Sequence, residues 1–150
     1  MKEEIAKRWA DALDSGEYKQ GHGALRTASG KFCCLGVLCD LYAKDTGRKW
    51  SDEFGLHDRS GIHIEGESSY LPEKVCEWAG ATGEDYILNR DVGVDIVLHI
   101  GGRDICASKA NDDYAEAWPS AKAGSFSDIA EAIRDQIIID HEETNTTGTA

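Results

Sequence analysis

The sequence predicts an α+β fold in a single domain, and three observations carry that prediction. Apolar residues recur at helical spacing at both ends of the chain: Ile5, Trp9 and Leu13 near the start, and Phe126, Ile129, Ala130, Ile133 and Ile137 near the end. Between them, Val92, Val94, Ile96, Leu98 and Ile100 alternate with other residues, which is the period of a strand covered on one face. Helices and strands do not alternate as βαβ units, so a parallel doubly wound sheet is not expected. With 150 residues, one domain over 1–140 is expected, and 141–150 offers nothing to bury and is expected to fray.

The elements follow in order. Residues 3–15 read as an amphipathic helix with Gly16 as its stop. The stretches GALRT and KFCC read as two short strands around Ala28-Ser29-Gly30. A helix begins near Cys33, with Cys34, Leu35, Leu38, Leu41 and Tyr42 on one face, and ends at Gly47. GIHIEG is a short strand candidate in a polar stretch. Leu71-Pro72 opens a short helix that buries Val75, Trp78 and Ala79 and stops at Gly80. Gly101-Gly102 predicts a two-residue hairpin turn, which pairs Ile100 with Arg103, His99 with Asp104, Leu98 with Ile105, Val97 with Cys106, and Ile96 with Ala107. Asp95, His99 and Asp104 then share the opposite face. Tyr114, Ala117 and Trp118 fit one side of a helix, and Ser125 caps the final helix with Asp128 in its first turn.

The formal net charge is −12. It is unevenly spread: nine basic against seven acidic residues in 1–50, three against eleven in 51–100, and four against ten in 101–150. Such a balance argues against a duplex nucleic-acid partner, since phosphate contacts need Lys and Arg. The acid between Asp52 and Glu143 would suit a basic surface on a partner protein, or serve solubility alone. No run is long and apolar enough to span a membrane, and the start MKEEIAKRWADAL lacks the apolar core of a signal peptide, so no membrane association is expected.

Between Tyr18 and Cys39 there is no Asp or Glu, and glycines fall at positions 21, 23, 30 and 36, with Gly16 just before the segment. Tyr18, Lys19, Gln20, His22 and Arg26 supply donors and a stacking surface, and a helix starting near Cys33 would aim N–H groups at whatever precedes it. These residues are the candidate site for a nucleotide-like anion, although no P-loop motif is present. The other reading is a glycine-rich turn with solvated cations. The five cysteines, Cys33, Cys34, Cys39, Cys76 and Cys106, fit core packing better than disulfides or zinc. An alternative catalytic reading pairs Cys33 or Cys34 at a helix N-terminus with His99 and Asp104, as in a papain-like cysteine hydrolase. A metal at His63, His99, Asp95 and Asp104 has no supporting spacing, and no cofactor is expected. Trp9, Trp78 and Trp118 fit apolar helix faces, whereas Trp50, beside Arg48 and Lys49, has no assigned place in the core.

The text R-W-A-D-A-L-D-S-G-E-Y-K-Q-G-H-G-A-L-R at 8–26, F-C-C-L-G-V-L-C-D-L-Y at 32–42, L-P-E-K-V-C-E-W-A-G at 71–80 and S-F-S-D-I-A-E-A-I at 125–133 follow in a distinctive order. Together they resemble a family of small accessory proteins encoded by tailed bacteriophages and prophages. A tripeptide that reads LND in that family stands here as Ala110-Asn111-Asp112, followed by a longer insertion over Tyr114–Gly124. The resemblance implies a phage gene expressed in the host bacterial cytoplasm. It also implies a binding protein of the counter-defence or host-modulating kind, which sequesters a nucleotide-like anion or blocks a host protein. The oligomeric state is open, a homo-oligomer included.

Overall fold

The computed structural model describes residues 1–51, 62–82, 85–89, 93–100, 103–112 and 124–147. The fold is α+β. In chain order the described elements are α1 (Glu3–Asp14), β1 (Lys19–Gln20), β2 (Lys31–Phe32), α2 (Cys34–Thr46), α3 (Glu73–Ala79), β3 (Tyr86–Asn89), β4 (Gly93–Ile100), β5 (Arg103–Cys106), α4 (Ala107–Asp112) and α5 (Phe126–Thr147). β3, β4 and β5 form an antiparallel sheet, and β1 pairs with β2 in a small parallel one.

α2 is the central helix. Nine consecutive or near-consecutive residues from Cys34 to Ala43 are buried, and Leu35, Val37 and Leu38 have no exposed surface. Each such aliphatic side chain contributes about 1.5–3 kcal/mol. Gly47 ends the helix in the left-handed region at φ 73°, where a side chain would be strained. α1 buries Ile5, Ala6, Trp9, Ala10 and Leu13, and packs along α5 and across α2. The Trp9 indole N–H donates to the Cys34 carbonyl at 2.8 Å, which satisfies the polar edge of a side chain only 1 % exposed. α5 closes the layer against β4 with Phe126, Ile129, Ala130 and Ile133. Its start is capped as the sequence predicts, with the Asp128 N–H donating to Ser125 Oγ at 3.2 Å.

The β4–β5 register agrees with the hairpin pairing: Ile100 with Arg103, His99 with Asp104, Leu98 with Ile105, and Val97 with Cys106. The Gly101-Gly102 turn itself lies outside the described residues, as do Tyr114, Ala117 and Trp118 and most of the insertion. Two expectations are corrected. Ile96 does not pair with Ala107, because the chain enters α4 there: the Asp95 carboxylate accepts from the Ser108 N–H at 3.2 Å and from its hydroxyl. Asp95 is consequently buried, and loss of solvent pushes its carboxyl above the usual range.

The GALRT strand also does not form. The Thr27–Lys31 turn closes as a hairpin would, with the Thr27 N–H donating to the Lys31 carbonyl at 2.8 Å. Only Arg26 then bridges antiparallel to Phe32, and β2 takes β1 as its ladder partner. Leu25 breaks the ladder by entering the core, donating its N–H to Ser68 and accepting at its carbonyl from Cys33. α5 has helical backbone as far as Thr147.

A single buried side chain, together with Gln20, joins four parts of this fold: α4, the start of α2, the β1 segment and the start of α5. Asn111 on α4 has no exposed surface. Its Oδ1 accepts from the Cys34 N–H at 3.2 Å and from Gln20 Nε2 at 2.9 Å. Its Nδ2 donates to the Gly21 carbonyl at 2.8 Å and to Asp112 Oδ1 at 2.7 Å. Gln20 passes the tie to the last helix: Nε2 also donates to the Gly124 carbonyl at 2.7 Å, and Oε1 accepts from the Phe126 N–H at 3.2 Å. Replacing Asn111 by Ala leaves the Cys34 N–H and the Gly21 carbonyl without these partners. Urea unfolding of Asn111→Ala should show a loss of roughly 2–5 kcal/mol. Asn111→Asp should also destabilise, because it removes two donors and buries a charge.

Candidate ligand-binding face

The alternation of the short β1–β2 ladder divides the predicted anion site in two. Tyr18, Gln20 and Phe32 turn inward, and Lys19 and Lys31 lie opposite each other on the exposed side. The inward residues are committed to structure. Tyr18 Oη donates to Asp40 Oδ2 at 2.6 Å and accepts from Lys44 Nζ at 3.0 Å. Burial, and then the Asp40 hydrogen bond, push the Tyr18 hydroxyl pKa up. Gln20 serves the Asn111 junction. His22 is exposed and engaged in a contact of its own.

The helix N-terminus expected to receive an anion is closed by the protein itself. The Cys34 N–H is taken by Asn111, and the Gly36 N–H donates to Cys33 Sγ at 3.4 Å. Leu25 sits against this first turn so closely that a Cβ on Gly36 would lie 1.7 Å from its carbonyl oxygen. No space remains there for a phosphate. The adjoining glycine loop is also occupied, because the Gly23 N–H donates to Asp112 Oδ2 at 3.3 Å.

Arg26 stands apart. Its guanidinium carbon lies 5.4 Å from the centre of the Phe32 ring and 5.7 Å from that of Trp50. Phe32 in turn meets Tyr18 and Trp50 edge-on, at 5.1 and 6.0 Å between centroids. Asp40 holds the aromatic frame, accepting from Trp50 Nε1 at 3.0 Å as well as from Tyr18. Arg26 receives no carboxylate among the described residues, and its Nε is buried without an acceptor. Arg8, Arg48 and Arg134 are all ion-paired, to Asp45, to Glu65, and to Asp11 and Asp14. Charge–ring attraction contributes about 0.5–2 kcal/mol and fixes the guanidinium plane before any ligand arrives. Sequence reasoning missed Trp50 and Asp40 as neighbours of this site. The one signal was a Trp beside Arg48 and Lys49 in an otherwise polar stretch.

The Cys–His–Asp arrangement does not assemble. His99 Nδ1 and Asp104 Oδ1 do meet, at 3.0 Å, but as an exposed cross-strand pair. Cys33 and Cys34 are core residues: Cys33 Sγ caps its own helix, and Cys34 Sγ–H donates to the Ala107 carbonyl at 3.3 Å. A helix N-terminus lowers a thiol pKa, but desolvation dominates here and nearby carboxylates add to it. The Cys33 thiol is pushed up to about 12, and the Cys34 thiol is raised well above its ordinary value. Among the described residues, no group of three or more His, Cys, Asp or Glu side chains is placed to hold a metal; His63 pairs its backbone with Ser51, away from the β4–β5 hairpin. No described helix is long and apolar enough to cross a membrane.

Residues 1–137 match a protein family described as a domain of unknown function (DUF8296). The chain belongs to that family. No curated protein and no solved structure matches the chain. The matched region spans α1 through Ile137 of α5, so the Asn111 junction and the Arg26–Trp50 face both fall inside the DUF8296 domain.

The thiol environment has a direct consequence. Burial pushes the Cys33 thiol up to about 12, so at pH 8 it stays protonated, and it is shielded from solvent as well. Iodoacetamide should therefore leave Cys33, Cys34 and Cys39 unmodified in the folded protein and label all three after unfolding in guanidinium chloride, as read by peptide mass spectrometry.

Proposed function

We propose that this protein acts by binding and not by catalysis, holding a nucleotide-like anion on the face formed by Arg26 and Trp50. The observation that carries the reading is Arg26: a guanidinium pre-set on two aromatic rings, with no carboxylate partner among the described residues of a chain with 28 acidic side chains. A planar fork beside an indole suits a ligand with both a charged phosphate and a flat base, since the first takes N–H donors and the second stacks. The acidic remainder of the chain opposes a long polyanion, which favours a small ligand over a duplex.

The phage resemblance supplies the biological setting of this reading. A small cytoplasmic binder made during infection would act by sequestering a host nucleotide signal, a counter-defence or host-modulating role. The cysteine hydrolase alternative receives no support from the buried thiols or from the exposed His99–Asp104 pair.

Titration with ATP, cyclic AMP and inorganic phosphate, followed by tryptophan emission and melting temperature, tests the proposal. At least one nucleotide should give a saturable change, with stabilisation of about 2.7 kcal/mol at a hundredfold excess over Kd. Arg26→Ala should abolish the response, and Arg26→Lys should weaken it by keeping the charge while losing the fork. No response to any of the three ligands at millimolar concentration, or an unchanged affinity in Arg26→Ala, overturns it.

A further inference from the structure

Trp50 belongs to neither a helix nor a ladder. It follows the end of α2 at Thr46 and precedes the Ser51–His63 bridge. No regular element therefore sets the direction of its indole. One directional contact does: the Nε1–H donates to Asp40 Oδ1 at 3.0 Å. Asp40 is a firm anchor, because it stands on α2, whose residues from Cys34 to Ala43 are largely buried, and only 17 % of its own side chain is exposed. Its second oxygen is engaged separately, accepting from Tyr18 Oη at 2.6 Å, with Lys44 Nζ at 3.5 Å. A carboxylate only accepts, so one group meets both single-proton donors, the indole and the phenol. The two rings so held meet Phe32 edge-on, and Arg26 lies over Phe32 and Trp50.

The charge of Asp40 works against its place beside an anion site, since like charges repel. What the residue supplies there is a pair of acceptors at fixed positions. Given the nucleotide-binding reading of the Arg26 face, on which this rests, we propose that Asp40 is its positioning residue: by holding Trp50 Nε1 and Tyr18 Oη on separate oxygens it keeps the indole against the guanidinium, and it raises nucleotide affinity without touching the ligand. A ring fixed before binding loses little freedom when the ligand arrives. Charge and positioning have opposite consequences. Removing the charge alone strengthens anion binding, whereas releasing Trp50 weakens it.

Two substitutions in the full chain separate these effects. Asp40→Asn removes the charge and keeps an oxygen to accept from Trp50 Nε1, and its amide donates to Tyr18 Oη instead. Asp40→Ala removes both charge and acceptors. Calorimetric titration uses ATP or cyclic AMP, whichever the parent binds more tightly. Asp40→Ala should weaken it by about tenfold, and Asp40→Asn should stay within about threefold of the parent. A ligand-free readout is the indole N–H resonance of Trp50 in NMR spectra, assigned by its absence from Trp50→Phe. In Asp40→Ala it should move and exchange faster with water; in Asp40→Asn it should keep its protection. Unmoved indole resonances of Trp9 and Trp78 show that each variant is folded. Unchanged or tighter nucleotide binding in Asp40→Ala, Asp40→Asn as weak as Asp40→Ala, or an unmoved Trp50 resonance in Asp40→Ala overturns the proposal. A parent that binds neither nucleotide overturns the anion reading itself, and the ligand-free resonance then still decides whether Asp40 positions Trp50.

Discussion

The carboxamide of Asn111 has four hydrogen-bonding positions, and with no access to water all four must be met inside the protein. Two acceptor positions take the Cys34 N–H and the Gln20 amide, and two donors reach the Gly21 carbonyl and Asp112. That requirement fixes where α4 lies against the start of α2 and against the β1 segment. Through Gln20 it also fixes where α5 begins. Hydrophobic burial brings α1, α2 and α5 together, but apolar contact is non-directional and does not select one register. The directional constraint comes from this amide. The Gly-x-Gly segment, the F-C-C-L-G run, the Ala110-Asn111-Asp112 tripeptide and the S-F start of the last helix all contribute a group to it. Motif residues that resemble a ligand cradle in one dimension are, in three, largely the joint of the fold.

The same joint decides the chemistry of its neighbours. Cys33 and Cys34 sit at a helix N-terminus, which favours thiolate, but they sit there without solvent. The cost of burying a charge exceeds the benefit of a few N–H dipoles, so both thiols stay protonated. Leu25 completes the seal: its carbonyl lies where a side chain at position 36 would be, and Gly36 is the residue that permits it. A helix start that looks open from its sequence is thus the best-covered point of the core.

Charge follows a different logic. Several described cations are ion-paired: Arg8 bridges α1 to α2 through Asp45, and Arg134 joins α5 to α1 through Asp11 and Asp14. These pairs are exposed and each contributes little to stability, although they orient helices already held by apolar contact. Arg26 is instead neighboured by rings, and Asp40, the carboxylate that holds those rings, is spent on Tyr18, Trp50 and Lys44. The consequence is a guanidinium that packs on two rings and has no carboxylate partner among the described residues, on the least acidic part of the chain.

Local pattern was enough for much of this fold. The apolar periods of α1, α2 and α5, the Pro72 start and Gly80 end of α3, the Ser125 cap and the β4–β5 register are all readable from residues close in sequence, because each depends on side chains within a few turns or one hairpin. What could not be read depends on contacts between distant segments. Leu25 leaves a ladder that its neighbours would extend, and Ala107 turns helical because Asp95 caps it across the sheet. Likewise, only the folded chain places Trp50 against Arg26 and Gln20 against Asn111, 91 residues away. The sequence by itself determined the main helices, the β4–β5 hairpin and that the first third is the least acidic. Tertiary structure alone decided which polar groups are spent on the core and which remain for a ligand, because burial and hydrogen-bond satisfaction are properties of the assembled interior and not of any local stretch.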